Sequence, residues 1–366
     1  MMSIARRNMA TSPGRLAFTV GGLAVATVLM AFVLALYQGF RDRIASYVDE
    51  VPADIWVVRF GNESFFNPSI VANTSVVEMR NVDGVADLST LLVWSMKLRF
   101  GGQSWDTYVI GFEEDGLGGP VHMKEGSPTP GAGEIVIDDV LARRAGISVG
   151  DEVGVGVRQF RVVGIASDGN LVVTQLSFVH RNEAQWIIGI EGFVNFVLVT
   201  AEPGRTAETI QTLNDHVPGV TAFDRETYAA SSRELLENNL LPILLVILVL
   251  AFGVGAIVVG LTTYSSIAER EREFGVLKAL GAPGRSLTRI VLEQSLACAG
   301  AGFFAGQVLA LLAAQATTAV VPQFVTLFRW QDTALVLALA TGMSLGAALL
   351  PIWRITRIDP LSVFKA

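Results

Sequence analysis

Asn238-Asn-Leu-Leu-Pro-Ile-Leu-Leu-Val-Ile-Leu-Val-Leu-Ala-Phe-Gly-Val-Gly-Ala-Ile-Val-Val-Gly-Leu-Thr-Thr-Tyr-Ser-Ser-Ile-Ala268 contains no Asp, Glu, Lys or Arg, and its reading decides the fold. About 20 apolar residues in a helix cross a hydrocarbon core roughly 30 Å thick, so this stretch is long enough to span a membrane. Three further gaps between charged residues have the same property: Leu16–Phe40, Gln294–Phe328 and Thr333–Trp353. Four helices of this kind have no polar face, which excludes a set of surface helices on a soluble core. Composition agrees. Of 366 residues, 51% are hydrophobic and 17% charged, against about a quarter charged in soluble domains.

Arg6, Arg7 and Arg15 precede the first gap, as they would in a signal peptide. Its uncharged run exceeds the roughly 7–15 residues of a signal h-region, and no A-x-A site follows Leu36 or Tyr37. It reads as a retained anchor. The flanks orient the chain through their Lys and Arg. Arg6, Arg7 and Arg15 lie before the first span; Arg270, Arg272, Lys278, Arg285 and Arg289 lie between the second and third; Arg354, Arg357 and Lys365 follow the fourth. With four spans these flanks share one side, which places both termini in the cytoplasm of a plasma (inner) membrane protein. Residues 41–237 hold 28 acids and 15 bases, a net charge of −13, which argues against a nucleic-acid partner.

The expected fold is a membrane all-α bundle of four transmembrane helices plus an extracytoplasmic α+β domain. Residues 1–40 form a cytoplasmic flank and the first span, and 41–237 the domain with helical stalks. The second span is 238–264, a cytoplasmic coupling loop or helix is 265–292, and the third span is 293–316. A short outer loop, 317–332, leads to the fourth span, 333–353, and a cytoplasmic tail, 354–366. Within the domain, a strand at Ile55–Phe60, a helical Val76–Asn81, a Gly turn and an extended run find a second copy. That copy is Phe193–Thr200, Thr206–His216, Val217-Pro-Gly-Val220 and Thr221–Phe223. These are two βαβ-type halves, and the segment between them, rich in strands and Gly turns, reads as an inserted β-rich subdomain. Asp138–Gly146 reads as one helix, capped by Asp138 or Asp139 and stopped by Gly146.

Signals for enzyme chemistry are thin. No G-x-x-x-x-G-K-[ST] occurs, and Gly281-Ala-Pro-Gly284-Arg-Ser286 lacks its spacing and its Lys. His122, His180 and His216 are scattered without ligand spacing, and Cys298 is the sole cysteine. Glu113-Glu-Asp115 reads as a solvated turn. No metal, cofactor or catalytic residue is expected in this chain. The connection after the second span is different. Ile267, Phe274 and Leu277 share one helical face, ringed by Glu269–Glu273, and Gly281 and Pro283 end the helix. Two readings stay open on pattern alone: a helix that docks in a groove of a cytosolic partner, and a solvated connector.

Glu269-Arg-Glu-Arg-Glu-Phe-Gly-Val-Leu-Lys-Ala-Leu-Gly-Ala282 resembles the E-R-x-x-E-[FI]-G-x-[LM]-[KR]-A-[LI]-G-[AS] signature of FtsX/MacB-family ABC permeases. Gly133-Glu-Ile-Val-Ile-Asp through Gly150-Asp151 is similar to a stretch of that family's extracytoplasmic domain, and Phe160-Arg-Val-Val-Gly-Ile165 to the strand after it. Pro351-Ile-Trp-Arg354 and Ile358-Asp-Pro-Leu361 resemble its C-terminal ending. The resemblance implies four spans per chain, a homodimer in membrane lipid, and a separate cytosolic ABC ATPase that binds ATP and Mg. It also leaves room for a periplasmic or extracellular adaptor. Glu269, Arg270, Glu273, Phe274, Leu277, Lys278, Leu280 and Gly281 would form the ATPase-coupling surface. With no fused ATPase domain and the strand Asp54–Val58, the chain looks closer to the DevC and HrtB-like branch.

Within the spans, Gly302 with Gly306 and Gly342 with Gly346 are GxxxG pairs suited to close helix packing, within one subunit ahead of dimerisation. Met30, Gln307 and Gln315 are candidates for a substrate path, against the plainer roles of filling and interhelical hydrogen bonding. Two functions compete. One is export or extraction of an amphipathic substrate, which needs an apolar groove between the stalks. The other is an FtsX-like transducer that activates an extracytoplasmic partner such as a cell-wall hydrolase, which needs an apolar patch on the domain. The stalk faces carry more apolar sequence, which favours export.

Overall fold

The computed structural model describes residues 13–67, 69–167, 169–172, 174–189, 191–269, 276, 278 and 283–357. They form two compact units, one from Gly39–Asn239 with Val321–Val325 and the other from the remainder. In chain order, helix α1 (Pro13–Arg43) contains the first uncharged gap and ends on Arg41 and Arg43, which suit the negative end of a helix. The short α2 (Ser46–Glu50) follows, then β1 (Ile55–Arg59), β2 (Val71–Ala72), α3 (Asn73–Arg80), β3 (Val85–Phe100) and β4 (Gln103–Phe112). Next come β5 (His122–Gly126), β6 (Glu134–Asp138), α4 (Asp139–Ala145), β7 (Glu152–Val155), β8 (Arg158–Ser167) and β9 (Gln175–His180). After α5 (Arg181–Ile188) come β10 (Phe193–Val194), β11 (Phe196–Ala201), α6 (Thr206–His216) and β12 (Val220–Asp224). The long α7 (Arg225–Glu269), α8 (Gly284–Val320) and α9 (Trp330–Arg357) complete the described chain.

The two βαβ halves pair as the repeated pattern implied. Strand order β12-β1-β11-β3 with antiparallel neighbours makes β1 parallel to β3 across β11, and β11 parallel to β12 across β1. Each half therefore admits a strand of the other between its own two, the split βαβ arrangement. The expected strand at Phe193–Thr200 divides at Asn195. The Asn195 side chain accepts from Val93 N (2.7 Å) and donates to the Ser69 carbonyl (2.7 Å), tying the 65–70 loop to β3.

The inserted subdomain closes on itself. The second half of β3 pairs with β4, β4 runs parallel to β9, β9 pairs with β6, β6 runs parallel to β8, and β8 pairs with β7. β7 then returns to β3 through Leu98↔Val155 and Arg99↔Gly154, so six strands form a ring. A closed ring has no free edge for another chain to extend. Its interior is filled by Leu98, Val109, Ile135, Val153, Phe160, Val162 and Val179, all at most 1% exposed. α4 seals one flank. Asp138 caps it, accepting from Val140 N (2.9 Å) and Leu141 N (3.4 Å), and Gly146 ends it at φ 69°, a conformation that glycine adopts without strain.

A second core centres on Trp56. Its ring stacks on Tyr228 (5.6 Å) and meets Phe196 (5.9 Å), Phe65 (6.2 Å) and Tyr47 (6.2 Å) edge-on. β1, β11, α2 and the start of α7 therefore share one aromatic cluster. The Val321–Val325 connector belongs to this unit as well: Asn170 Nδ2 donates to the Gln323 carbonyl at 3.0 Å.

In the other unit, windows of α1, α7, α8 and α9 reach mean hydropathies of 2.3, 3.0, 1.9 and 1.5, long and apolar enough to cross a membrane. Leu23, Ala26, Met30, Val259, Phe303, Val336 and Met343 pack its interior. The opposite side of α7 leaves Ile243, Val246, Leu250, Val254, Ile257 and Leu261 between 57% and 65% exposed. A strip of that kind suits lipid, where apolar side chains lose nothing by exposure. Pro242 lies inside α7, where its missing N–H leaves the carbonyl four residues earlier without a helical donor.

Candidate functional site

Ion pairs within the domain tie α1 and α2 to α7. Arg41 Nε lies 2.6 Å from Glu237 Oε1, and Asp49 pairs with Arg233. Burial pushes the Asp49 carboxyl above its ordinary range, with Arg233 and Arg225 pulling it back down. Tyr47, buried in the aromatic cluster, donates its hydroxyl to the Gly118 carbonyl at 2.5 Å, and burial raises the phenols of both Tyr47 and Tyr228. The helical extensions are thus fixed to each other by two ion pairs and to the sheet by stacked rings.

Of the expected coupling surface, Glu269 ends α7 with an exposed side chain, and Lys278 is helical and half-buried. Arg270, Glu273, Phe274, Leu277, Leu280 and Gly281 lie outside the described residues. The two glycine pairs differ. A Cβ on Gly302 would stand 2.5 Å from Leu23 Cβ, and one on Gly306 2.5 Å from Thr27 Cβ, so α1 and α8 approach closely because these positions lack side chains. A Cβ on Gly342 or Gly346 meets nothing within 4 Å, so packing within one subunit, expected for both pairs, is absent at this pair among the described residues. α8 and α9 are joined instead by Ser344 Oγ donating to the Ser295 carbonyl (2.7 Å).

Met30, Gln307 and Gln315 do not converge. Met30 is fully buried in the bundle core, and Gln315 is exposed. Gln307 lines a small hollow with Ala31, Ala35 and Asp332. Cys298 is buried. Glu113, in the acidic turn, accepts from Thr90 Oγ1 (2.9 Å) and pairs with Arg181 (2.5 Å). His180 caps α5 by accepting from Asn182 N (3.2 Å). Sequence reasoning missed the stalk ion pairs and the aromatic cluster. Arg41 and Glu237 stand at opposite ends of the domain's sequence, and no spacing rule links them. The density of rings at Tyr47, Trp56, Phe65 and Phe66 was the available signal for the cluster.

Four apolar helices joined to an α+β domain of split βαβ halves and an inserted barrel define a polytopic membrane protein with one large domain. The MacB-like periplasmic core domain model matches residues 16–213, and the FtsX-like permease C-terminal model matches residues 245–360. The chain belongs to the FtsX/MacB family of ABC transporter permeases. Two proteins of Mycobacterium tuberculosis, each named an uncharacterized ABC transporter permease, are 25% and 26% identical to it, covering 100% of this chain and 99% of each relative. A third of that name, from Methanocaldococcus jannaschii, is 30% identical over 46% of this chain and 44% of its own length. Among solved structures, the extracellular domain of the noncanonic ABC-type transporter YknZ from Gram-positive bacteria is 16% identical, with TM-score 0.37, covering 47% of this chain and 100% of that one. The periplasmic region of MacB from Actinobacillus actinomycetemcomitans is 15% identical, with TM-score 0.38, covering 52% of this chain and 96% of that one.

Proposed function

We propose that this permease is the non-catalytic membrane subunit of an export complex, driven by a separate cytosolic ATPase that holds ATP and Mg. The 269–282 connection is its docking surface, both termini are cytoplasmic, and the α+β domain lies outside. Two copies act together. Each passes movement of α1 and α7 to its outer domain, which extracts or expels an amphipathic substrate, as in the DevC and HrtB-like branch. The observation that carries this reading is the pinning of α1 and α2 to α7 by Arg41–Glu237 and Asp49–Arg233. Two helices joined in that way move as one lever. Phe274→Asp tests it: with the partner ATPase present, membrane insertion should persist while substrate-stimulated ATP turnover is lost. Normal coupled turnover in that variant would remove the docking assignment.

One feature favours the second reading, a transducer that activates an extracytoplasmic partner. The α+β domain exposes Ile70, Trp94, Trp186 and Phe193, each at least 40% accessible, as a protein-binding face would. Substrate movement across sealed vesicles that hold only this permease and its ATPase would decide for export. Turnover that depends on an added outer protein, with nothing moved, would decide for the transducer.

A further inference from the structure

The α+β domain contains a cleft of about 320 Å³ between its split βαβ half and its barrel, within the size range of small-molecule sites. Phe65, Phe66, Ile70, Trp94, Tyr108 and Phe196 line it, and every other lining residue is uncharged. Several contacts join its walls. Phe65 and Phe196 stack at 5.1 Å, Phe66 and Tyr108 meet at 6.1 Å, and the Asn195 amide ties the Ser69 carbonyl to β3. Trp94 is 40% exposed and also borders a smaller hollow that Ile188 and Phe193 help to line. Phe65 and Phe196 form the buried floor of the cleft, Phe66 and Tyr108 are partly exposed walls, and Trp94 and Ile70 stand open to solvent at its rim.

We propose that this cleft binds an apolar cation: a ring system or short chain bearing a delocalised or quaternary positive charge. The lining rejects a strongly hydrated ion, since it offers no charged ligand and few polar atoms. An anion would find no basic side chain in the cleft, and it would approach a segment with a net charge of −13 across residues 41–237, which repels it at long range. A cation is drawn by that same field and by the negative faces of Trp, Tyr and Phe rings. The domain already uses this attraction elsewhere: the Arg158 guanidinium lies 5.2 Å from the centre of the Trp186 ring. The Tyr108 phenol, its ionisation disfavoured by burial, remains neutral and adds one polar contact. Binding stands on the cleft alone; its place as a substrate-capture step rests on the export reading.

The experiment uses the full chain in lipid nanodiscs with Cys298→Ser, which removes the sole, buried thiol. Ser95→Cys places a reporter at an exposed position lining the cleft, and Val157→Cys places one at a residue 85% exposed and absent from the lining. Maleimide labelling of each is timed with tetraphenylphosphonium or the near-isosteric anion tetraphenylborate. The phosphonium should slow labelling of the Ser95→Cys thiol at least fivefold and leave the Val157→Cys thiol unchanged, and the borate should do neither. Adding Trp94→Ala, or Tyr108→Ala if the first misfolds, should raise the half-protecting concentration about tenfold. No protection, equal protection by the borate, or protection at both positions would overturn the proposal. Phe274→Asp should leave protection intact. Protection lost while Phe274→Asp still uncouples turnover sinks only the cleft, and the converse sinks only the export reading.

Discussion

Arg41 and Glu237 form an ion pair of 2.6 Å between the end of α1 and the first third of α7, with side chains 44% and 24% exposed. Partly exposed pairs contribute at most about 1 kcal/mol. Arg41→Ala should therefore lower the melting temperature of the purified chain only slightly, yet loosen the proposed lever. Substrate-stimulated turnover with the partner ATPase should fall several-fold in Arg41→Glu and recover in Arg41→Glu/Glu237→Arg. A double reversal no better than the single would show that the pair plays no part in coupling.

Trp56 supplies the second prediction. Its ring is fully buried, but its Nε1 has no acceptor among the described residues. Trp56→Ala removes the centre of the cluster and should cost about 3–5 kcal/mol. Trp56→Phe keeps much of the ring contact and removes an unsatisfied donor, whose burial costs about 1–3 kcal/mol. It should be far milder than Trp56→Ala, and denaturant titration of the two variants against the parent measures the gap.

Burial pushes the Asp138 carboxyl up to about 7. The folded state then holds a proton that the unfolded chain releases near pH 4, so this group's stabilisation is full below about pH 4 and is lost as pH rises towards 7. Asp138→Asn retains an N-cap oxygen and cannot ionise. Its melting temperature relative to the parent should rise between pH 5 and pH 7 and level off above. A constant difference across that window would contradict the buried protonated state.

The two glycine pairs should separate under mutation. Gly302→Val and Gly306→Val drive methyl groups against Leu23 and Thr27 and should reduce the yield of folded protein or lower its melting temperature by several degrees. Gly342→Ala and Gly346→Ala meet open space and should leave thermal stability unchanged. Cross-linking of the membrane-embedded chain would show whether the second pair serves contacts between copies.

The spans were legible because desolvating a charge is so costly that four uncharged runs stand out at once. The split halves were legible through the helix, Gly turn and strand order on either side of the insertion, at Asn73–Phe100 and Thr206–Asp224. Closure of the barrel was not. It depends on two residue pairs between β3 and the four-residue β7, and such a short strand carries little pattern of its own. β9 escaped notice for a related reason: five of its six residues are buried, so it shows no alternation between faces. The sequence-based preference for stalk over domain apolar surface also passed over Trp94 and Ile70, because exposure of single residues in a strand and a loop leaves no periodic trace. The proposed docking surface rests on its motif, and most of its residues lie outside the described ones.

Pro242 removes one rung from the hydrogen-bond ladder of a 45-residue helix. A rod with a single softened joint does not compress under load; it pivots there and stays stiff on both sides. On the proposed export reading, a push along α7 would therefore emerge as a swing, and the throw at the far end would grow with the length of helix beyond the joint.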